Sequence, residues 1–145
     1  MTDFSHTFSV PKPIDQVWNT MTQLDQVLPM VPDTSVTEGT GAKVTAQIKL
    51  RLGSMTMQYT GPAEIIEKND ASHSAVMTAQ AREKGGQGNA DARVAIQLTS
   101  AGGSTNGTLK SSINVTGKAA QMGEGMVGPV TDALIKGFVA NLQKM

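Results

Sequence analysis

The groups that could carry catalysis in this sequence are few and scattered. Its 145 residues contain no cysteine and two histidines, which excludes thiol nucleophiles and cysteine-ligated metals. His6 lies on the apolar face of a predicted first strand, where a lone histidine is more often a structural residue than a catalyst. His73 lies in a turn, and no second histidine, cysteine or acidic cluster completes a metal site. The sequence therefore predicts no catalytic residue and no metal site.

Tyr59 is the one phenol of the chain, and it alternates into the predicted interior. Most such tyrosines belong to the core with a bonded hydroxyl, and the alternative is that this one orients a carbonyl group of a ligand. Glu64 and Glu67 fall near a strand end, where we expect them to be solvated. The serines and threonines lack a nucleophile-elbow pattern. The stretch "GGQGN" (85–89) lacks the lysine and the strand-to-helix context of a phosphate loop.

The spacing of apolar residues predicts the elements that position these groups. Alternation over Phe4–Val10 predicts a strand, and helical spacing follows over Ile14–Met21 and Leu24–Leu28. Period-two alternation then predicts an antiparallel meander of strands. Its apolar runs are Val44–Leu52, Met55–Ile65, Ala75–Ala81, Ala90–Leu98 and Leu109–Val115. The predicted turns between them include Gly53-Ser54 and the glycine-rich "SAGGSTNG" (100–107).

The segment Gly117–Met145 has the spacing of one long amphipathic helix, or of two helical halves with a bend. Its apolar positions are Ala119, Met122, Met126, Val130, Ala133, Leu134, Gly137 and Phe138. Within it, "MGEGMVGPV" (122–130) holds three glycines and a proline. Because Pro129 cannot donate to the carbonyl of Gly125, we predict a kink near Gly125. The kink either shapes the wall or entrance of a ligand site, or is a simple structural bend.

These elements predict a single α+β domain over residues 1–145. A curved antiparallel sheet of six to seven strands has one apolar face to cover, and the C-terminal helix is the only element long enough to cover it. Two short helices follow the first strand. Small residues dominate the face that points to the helix: Ala46, Gly61, Ala63, Ala75, Ala79, Ala81, Ala90, Ala92 and Ser111. The helix either settles against this face or leaves an apolar cavity.

Composition limits the class of protein further. Twelve basic and twelve acidic side chains balance to zero net charge without a basic run, so nucleic acid is not an expected partner. No apolar run reaches the roughly 18 residues that span a bilayer, and the first residues do not form a signal peptide. We therefore expect a cytoplasmic protein. Nine methionines against five aromatic residues make its interior adaptable.

Three segments resemble the carbon monoxide dehydrogenase G-subunit family, which belongs to the START-like or Bet v 1-like (SRPBCC) group. They are "FSVPKPIDQVWNTMTQLDQVLPMVP" (8–32), "GGQGNADARVAIQL" (85–98) and "NVTGKAAQMGEGMV" (114–127). The resemblance implies a helix-grip fold, in which the sheet wraps around the C-terminal helix and an apolar cavity. The chain departs from the family at Pro32-Asp33-Thr34, commonly a "PGC"-like step, and at Pro129. It also lacks a membrane-seeking tail after Met145, so stable anchoring by this chain is not expected.

The resemblance implies a non-enzymatic accessory protein of a molybdenum hydroxylase such as carbon monoxide dehydrogenase. The leading hypothesis is that the protein carries a lipophilic small molecule. The most specific ligand that we expect is a noncovalently bound isoprenoid quinone such as menaquinone, which would serve electron transfer. Tyr59 or His6 would donate to its ring carbonyls, and contact with the inner face of the membrane would be transient. The alternatives are a maturation or membrane-recruitment factor without a ligand, and a START-like cyclase or hydrolase. The expected ligand-binding residues are Trp18, Met55, Met57, Tyr59, Met77, Ala79, Ala92, Val94, Leu109, Met122, Met126 and Leu134.

Overall fold

The structure, a computed structural model, describes residues 2–52, 55–86, 88–117 and 127–144. One strand is followed by short helices, six further strands and a C-terminal helix. The elements are β1 (Thr2–Val10), α1 (Ile14–Met21), α2 (Leu24–Val27), a 3-10 helix (Leu28–Met30), β2 (Thr34–Thr40), β3 (Lys43–Leu52), β4 (Met55–Asn69), β5 (Ser74–Glu83), β6 (Asn89–Ala101), β7 (Ser104–Val115) and α3 (Val127–Gln143). The predicted order of elements is confirmed in this part of the chain.

The seven described strands form one open antiparallel sheet in the order β1-β7-β6-β5-β4-β3-β2. Strands β2 to β7 pair as a meander, and β1 adds beside β7. Register shifts between Val36 and Glu38 and between Ile65 and Glu67 mark bulges, which bend strands and increase their twist. The sheet therefore curves and leaves β1 and β2 as its two edges.

Large side chains fill one end of the concave face. Leu98 of β6 and Leu142 of α3 are 1% and 0% exposed, and they belong to one cluster with residues of β1, α1 and α2. Phe8 of β1 lies opposite Gly107 of β7, and a Cβ at Gly107 would meet the Phe8 ring. The predicted turn over 100–107 is therefore too long, because only Gly102 and Gly103 form it. The ring of Phe8 needs a glycine inside the strand.

Helix α3 covers the concave face with a buried stripe. Thr131, Phe138 and Leu142 are buried, with Leu134 half-buried between them, at the spacing expected of one helix face. Ala133, which we placed on this stripe, is exposed. The sequence pattern misled here because the stripe includes a polar residue, Thr131, so that the apolar residues alone give a wrong phase.

The connection between α2 and β2 departs from the predicted pattern. Helix α2 ends at Val27 rather than Leu28, and Pro29 lies within the following 3-10 helix. Asp33 has a φ of +58°, the left-handed region in which glycine is favoured and aspartate is among the tolerated residues. This explains how aspartate can stand at the middle position of the family's "PGC"-like step.

The predicted kink near Gly125 lies outside the described residues. Pro129 lies in the first turn of α3 as described. In the described part of the chain, none of the helices combines the length and the apolar character that crossing a bilayer requires.

Candidate ligand-binding site

Two adjoining apolar cavities lie between the sheet and α3. Their volumes are about 270 Å³ and about 190 Å³, and we call them the first and the second cavity. They share six lining residues: Leu28, Val31, Met77, Ile113, Thr131 and Leu134. The helix has therefore not settled onto the sheet, and the second of the two predicted outcomes, a cavity, is the one observed.

Small side chains account for this space. All nine small residues predicted on the inner face line a cavity, seven of them the first cavity and two, Ala75 and Ser111, the second. Strand β6 shows the cause most simply, since its inward residues grow in size along the strand. Ala90 and Ala92 border the first cavity, and Val94 borders the second. Leu98 then belongs to the packed core.

Two segments, which together we call the roof, cover the cavities on the side away from the sheet. One segment contributes Leu28 and Val31, and the other is α3, which contributes Leu134. The two segments meet closely, because a Cβ at Gly137 would touch the ring of Pro32. The amide of Asn141 also donates to the carbonyl oxygen of Met30 at 2.7 Å.

Tyr59 is the most enclosed polar residue of the first cavity, with no exposed surface. Its hydroxyl donates to the sulfur of Met57 at 3.9 Å, a weak interaction. Burial, with a smaller contribution from the charge of Glu83, raises the pKa of this phenol above its usual range. Tyr59 is therefore a neutral hydroxyl at the cavity wall, held by no strong partner of its own.

Three further hydroxyl residues lie along the cavities, and one of them, Thr34 in the first cavity, donates to the carbonyl oxygen of Pro32 at 3.2 Å. Thr131 is 6% exposed and lines both cavities, whereas Ser111 is 5% exposed and lines the second. The site therefore presents a mainly aliphatic surface with a few hydroxyl-bearing residues, which is the composition of a site for an apolar molecule that carries one or two polar atoms.

His6 links the sheet to the helix beside the second cavity. Its Nε2 lies 2.9 Å from Oδ1 of Asp132 in α3. Leu109, the cross-strand partner of His6, lines the second cavity. His6 thus holds α3 in place, and it is not itself part of either lining.

The structure brings together seven of the twelve residues predicted to bind a ligand. Tyr59, Ala79 and Ala92 line the first cavity, Val94 and Leu109 line the second, and both linings include Met77 and Leu134. The side chain of Met55, together with Met122 and Met126, lies outside the described residues. Binding itself stays a prediction for every residue of this set.

Met57 and Trp18 lie elsewhere. Met57 is 3% exposed and packs in a cluster with Tyr59 rather than in a cavity lining. Trp18 is 8% exposed, and its Nε1–H donates to Oδ1 of Asp70 at 2.8 Å, while its ring meets His73 edge-on at 5.5 Å. The hydrogen bond from Trp18 is the main cause of the lowered pKa of Asp70. Trp18 fastens the β4–β5 turn to α1, so its predicted place in the cavity is corrected.

Sequence reasoning missed several lining residues. Val31 lies in an irregular connection, where no periodicity indicates which way a side chain points. Leu28 ended the predicted run Leu24–Leu28 at helical spacing and could have been included. Ile113 followed the inward alternation of its strand and could have been included on that ground. Thr131 could have been found only by testing a helix phase that admits a polar residue.

The described residues contain no group of three or more His, Cys, Asp or Glu side chains that could hold a metal ion. Within that part of the chain, the cavity linings also lack a paired acid and base. What the arrangement can do chemically is enclose an apolar molecule and hydrogen-bond a small number of its atoms.

A sequence model of the CoxG family, described as the G subunit of carbon monoxide dehydrogenase, matches residues 7–145. The chain belongs to this family. The resemblance read from the sequence is thereby confirmed. CoxG is an accessory component of the enzyme rather than a catalytic one, which supports the prediction that this CoxG-family protein is not an enzyme. No curated protein sequence matches the chain.

Solved structures confirm the helix-grip fold of this CoxG-family protein. It is similar to a conserved protein from Geobacillus kaustophilus, with 20% identity, a TM-score of 0.84 and coverage of 99% of this chain and 93% of that one. It is also similar to the Zhui aromatase/cyclase of a Streptomyces species (11%, TM-score 0.66, coverage 99% and 92%). A third is norcoclaurine synthase from Thalictrum flavum (12%, TM-score 0.65, coverage 99% and 84%). At these identities the likeness establishes the fold alone.

Proposed function

We propose that this protein carries a lipophilic small molecule, and that the molecule is an isoprenoid quinone of the menaquinone type. The observation that carries the proposal is the pair of adjoining apolar cavities beneath α3. Protein interiors are normally close-packed, and an empty volume in a core lowers stability. A chain that places alanine or glycine at seven positions around one cavity keeps that volume at a cost, which ligand binding would offset.

The cavity surface fits the chemistry of such a ligand. Each methylene group transferred from water to an apolar site contributes about 0.8 kcal/mol, so an isoprenoid chain gains affinity along its length. The cavities, of about 270 Å³ and 190 Å³, are individually smaller than most small-molecule sites, which begin at roughly 300 Å³. A quinone ring with its first isoprene units would occupy both cavities, and the rest of a long tail would leave through the roof.

The partner follows from the family. Because the family is named for a component of carbon monoxide dehydrogenase, we propose that the carried quinone accepts electrons from a molybdenum hydroxylase of that kind in the cytoplasm. Isoprenoid quinones partition into membranes, so a carrier must touch the membrane surface transiently to load or unload. A recruitment factor without a ligand would need only a docking surface and would have no use for the cavities.

The test begins with protein purified from a host that makes menaquinone. Extraction with organic solvent and mass spectrometry should recover menaquinone from the protein fraction. Calorimetry with a short-chain menaquinone should then show binding to the stripped protein. An extract without quinone, together with no binding of the added quinone, would contradict the proposal.

Dependence on the partner enzyme is tested separately. A pull-down with the tagged protein, from hosts with and without the molybdenum hydroxylase, should retain the enzyme only where it is made. A protein that binds quinone but never retains the enzyme would keep the carrier function and lose the proposed partner.

A further inference from the structure

Two buried side-chain atoms have no hydrogen-bond partner in the described part of the chain: Nδ1 of His6 and Oγ of Ser111. Buried polar atoms are normally paired, since leaving one unpaired lowers stability. A comparably buried hydroxyl illustrates the rule, because that of Thr105 donates to the carbonyl of Lys12 at 2.8 Å. The two exceptions therefore need a physical reason.

The two unpaired atoms belong to one place in the fold. Ser111 pairs with Phe4, and His6 pairs with Leu109, so His6 and Ser111 are diagonal neighbours on the inner face of β1 and β7. Diagonal neighbours lie within reach of each other's long side chains. Ser111 and Leu109 both line the second cavity, and α3 covers them. His6 is not itself part of this lining, so a group that binds both atoms must lie at the edge of the cavity towards β1.

The partner of His6 fixes what its free nitrogen can do. Oδ1 of Asp132 belongs to a carboxylate, which only accepts hydrogen bonds, so Nε2 of His6 carries the proton of their 2.9 Å contact. In a neutral imidazole the other nitrogen, Nδ1, is then an acceptor. The hydroxyl of Ser111 can donate and accept. The site thus offers one atom that can only accept a hydrogen bond, Nδ1 of His6, and one that can donate, Oγ of Ser111.

A hydroxyl group meets this pattern, and a carbonyl group does not. The O–H of a ligand would donate to Nδ1 of His6 while its oxygen accepts from Ser111. A carbonyl oxygen could accept from Ser111 but would leave Nδ1 unpaired. The quinone hypothesis named Tyr59 or His6 as a donor to a ring carbonyl. With its Nε2 donating to Asp132, a neutral His6 offers an acceptor instead.

We propose that Nδ1 of His6 and Oγ of Ser111 bind a hydroxyl group of the carried molecule, and that the protein holds the reduced, dihydroxy form of a quinone more tightly than the oxidised, dicarbonyl form. This inference rests on the proposed function, because it assigns the polar end of the quinone. A carrier with this preference loads best with the product of quinone reduction.

The experiment compares a short-chain menaquinone with its dithionite-reduced form, under argon and at mildly alkaline pH, where imidazole side chains are neutral. Calorimetry on the full chain should give a dissociation constant about two- to tenfold lower for the reduced form, the worth of one added hydrogen bond. His6→Phe should remove most of this ratio, because it removes the acceptor that only the reduced form can use. Ser111→Ala should weaken the binding of both forms by a similar factor, because a hydroxyl oxygen and a carbonyl oxygen can each accept from Ser111.

Ser112→Ala is the matched control. Ser112 is the next residue of β7, and its hydroxyl donates to the Asp3 carboxylate at 2.6 Å on the outer face, so the affinities for both forms should persist. Ser111→Ala should also leave the melting temperature of the unliganded protein unchanged or raised, because the hydroxyl it removes has no partner among the described residues. If His6→Phe fails to fold, Ser111→Ala still tests the site, since the loss of one hydrogen bond should weaken the binding of both forms about two- to tenfold.

The outcomes separate the two proposals. If wild-type protein binds both quinone forms equally, if the ratio survives in His6→Phe, or if Ser111→Ala binds both forms as tightly as wild type, this inference is wrong and the carrier function stands. A bound water that bridges His6 and Ser111 in a structure of the quinol complex would overturn it as well. If neither form binds to wild-type protein, the proposed function itself fails.

Discussion

The two ends of β6 face the same helix across very different interiors. At one end Leu98 is 1% exposed in a cluster that includes Phe138 and Leu142 of α3. At the other end Ala90 and Ala92 border a cavity of about 270 Å³ that α3 also lines. Strand pairing is regular along the whole length of β6. Side-chain size, rather than backbone architecture, therefore decides whether the space under this helix is packed core or cavity.

Truncation at the packed end should have the largest effect on stability. Leu98→Ala should lower the free energy of unfolding by about 2–5 kcal/mol, because it opens a cavity among close-packed neighbours. Urea denaturation followed by circular dichroism measures this change. The matched variant is Leu50→Ala, since Leu50 is half-buried and already lines the first cavity. Equal losses in the two variants would remove the distinction between the two ends.

Adding a single methyl group at the packed end should have the next largest effect on stability. Gly107→Ala should cost about 1–3 kcal/mol of stability, because the new Cβ meets the buried ring of Phe8. Thermal denaturation checks this prediction. Gly103→Ala serves as its control, since a Cβ there has nothing within 4 Å. Were Gly107→Ala as stable as wild type, the ring of Phe8 would have room to move and this end would not be tightly packed.

Adding three carbon atoms at the cavity end should be tolerated. Ala92→Leu should change the free energy of unfolding by less than about 1 kcal/mol, as its side chain enters space that is already empty. It should weaken binding of a short-chain menaquinone at least tenfold, or about 1.4 kcal/mol, by occupying the same volume. Ala95→Leu, on the outer face of the same strand, should leave binding intact. Unimpaired binding by Ala92→Leu would place the ligand elsewhere.

Removing the Tyr59 hydroxyl should have the smallest effect at neutral pH. Tyr59→Phe should change stability by less than about 0.5 kcal/mol, because the hydroxyl meets only a sulfur atom at 3.9 Å. Burial raises the pKa of Tyr59 in the folded protein. Above about pH 10 the unfolded phenol therefore ionises first, and wild-type stability falls as pH rises through the native pKa.

Urea denaturation midpoints of the wild type and Tyr59→Phe at neutral and alkaline pH test this predicted loss of stability. The wild type should lose more stability than Tyr59→Phe on alkalinisation. Because Tyr59 is the one tyrosine of the chain, phenolate absorbance reports its ionisation directly. Parallel pH profiles for the two proteins would show that the phenol is not shielded from water.

Much of the fold was predictable because the inner residues of the long strands alternate cleanly. The run Ala90–Leu98 gave both the strand and its inner face, and the small residues on that face indicated where space could remain. Strand β2 was not predictable in this way. It is an edge strand whose residues are mostly exposed, so Val36 is its only apolar side chain and no alternation marks it.

The polar part of the site was harder to predict, for a different reason. Whether His6 and Ser111 are neighbours depends on the register between the first and last strands, which no local pattern encodes. The position of Trp18 likewise depends on a contact with a residue that is distant in the sequence. Its helical position indicated burial correctly, but its partner Asp70 lies 52 residues away along the chain, and that hydrogen bond draws Trp18 away from the cavity.

The open sheet has a consequence for how quickly cargo can be exchanged. In the described residues, α3 is tied to the rest of the protein by hydrogen bonds from side chains, such as those from Asn141 to Met30 and from Gln143 to Ser9. Each contributes about 0.5–1.5 kcal/mol, and none belongs to a strand ladder. The helix is also held by the buried side chains of Phe138 and Leu142, but its displacement would break no strand pair. Under the proposed function, we therefore expect substitutions in the contacts of α3 to change the rate of ligand release without altering the sheet residues that line the cavities.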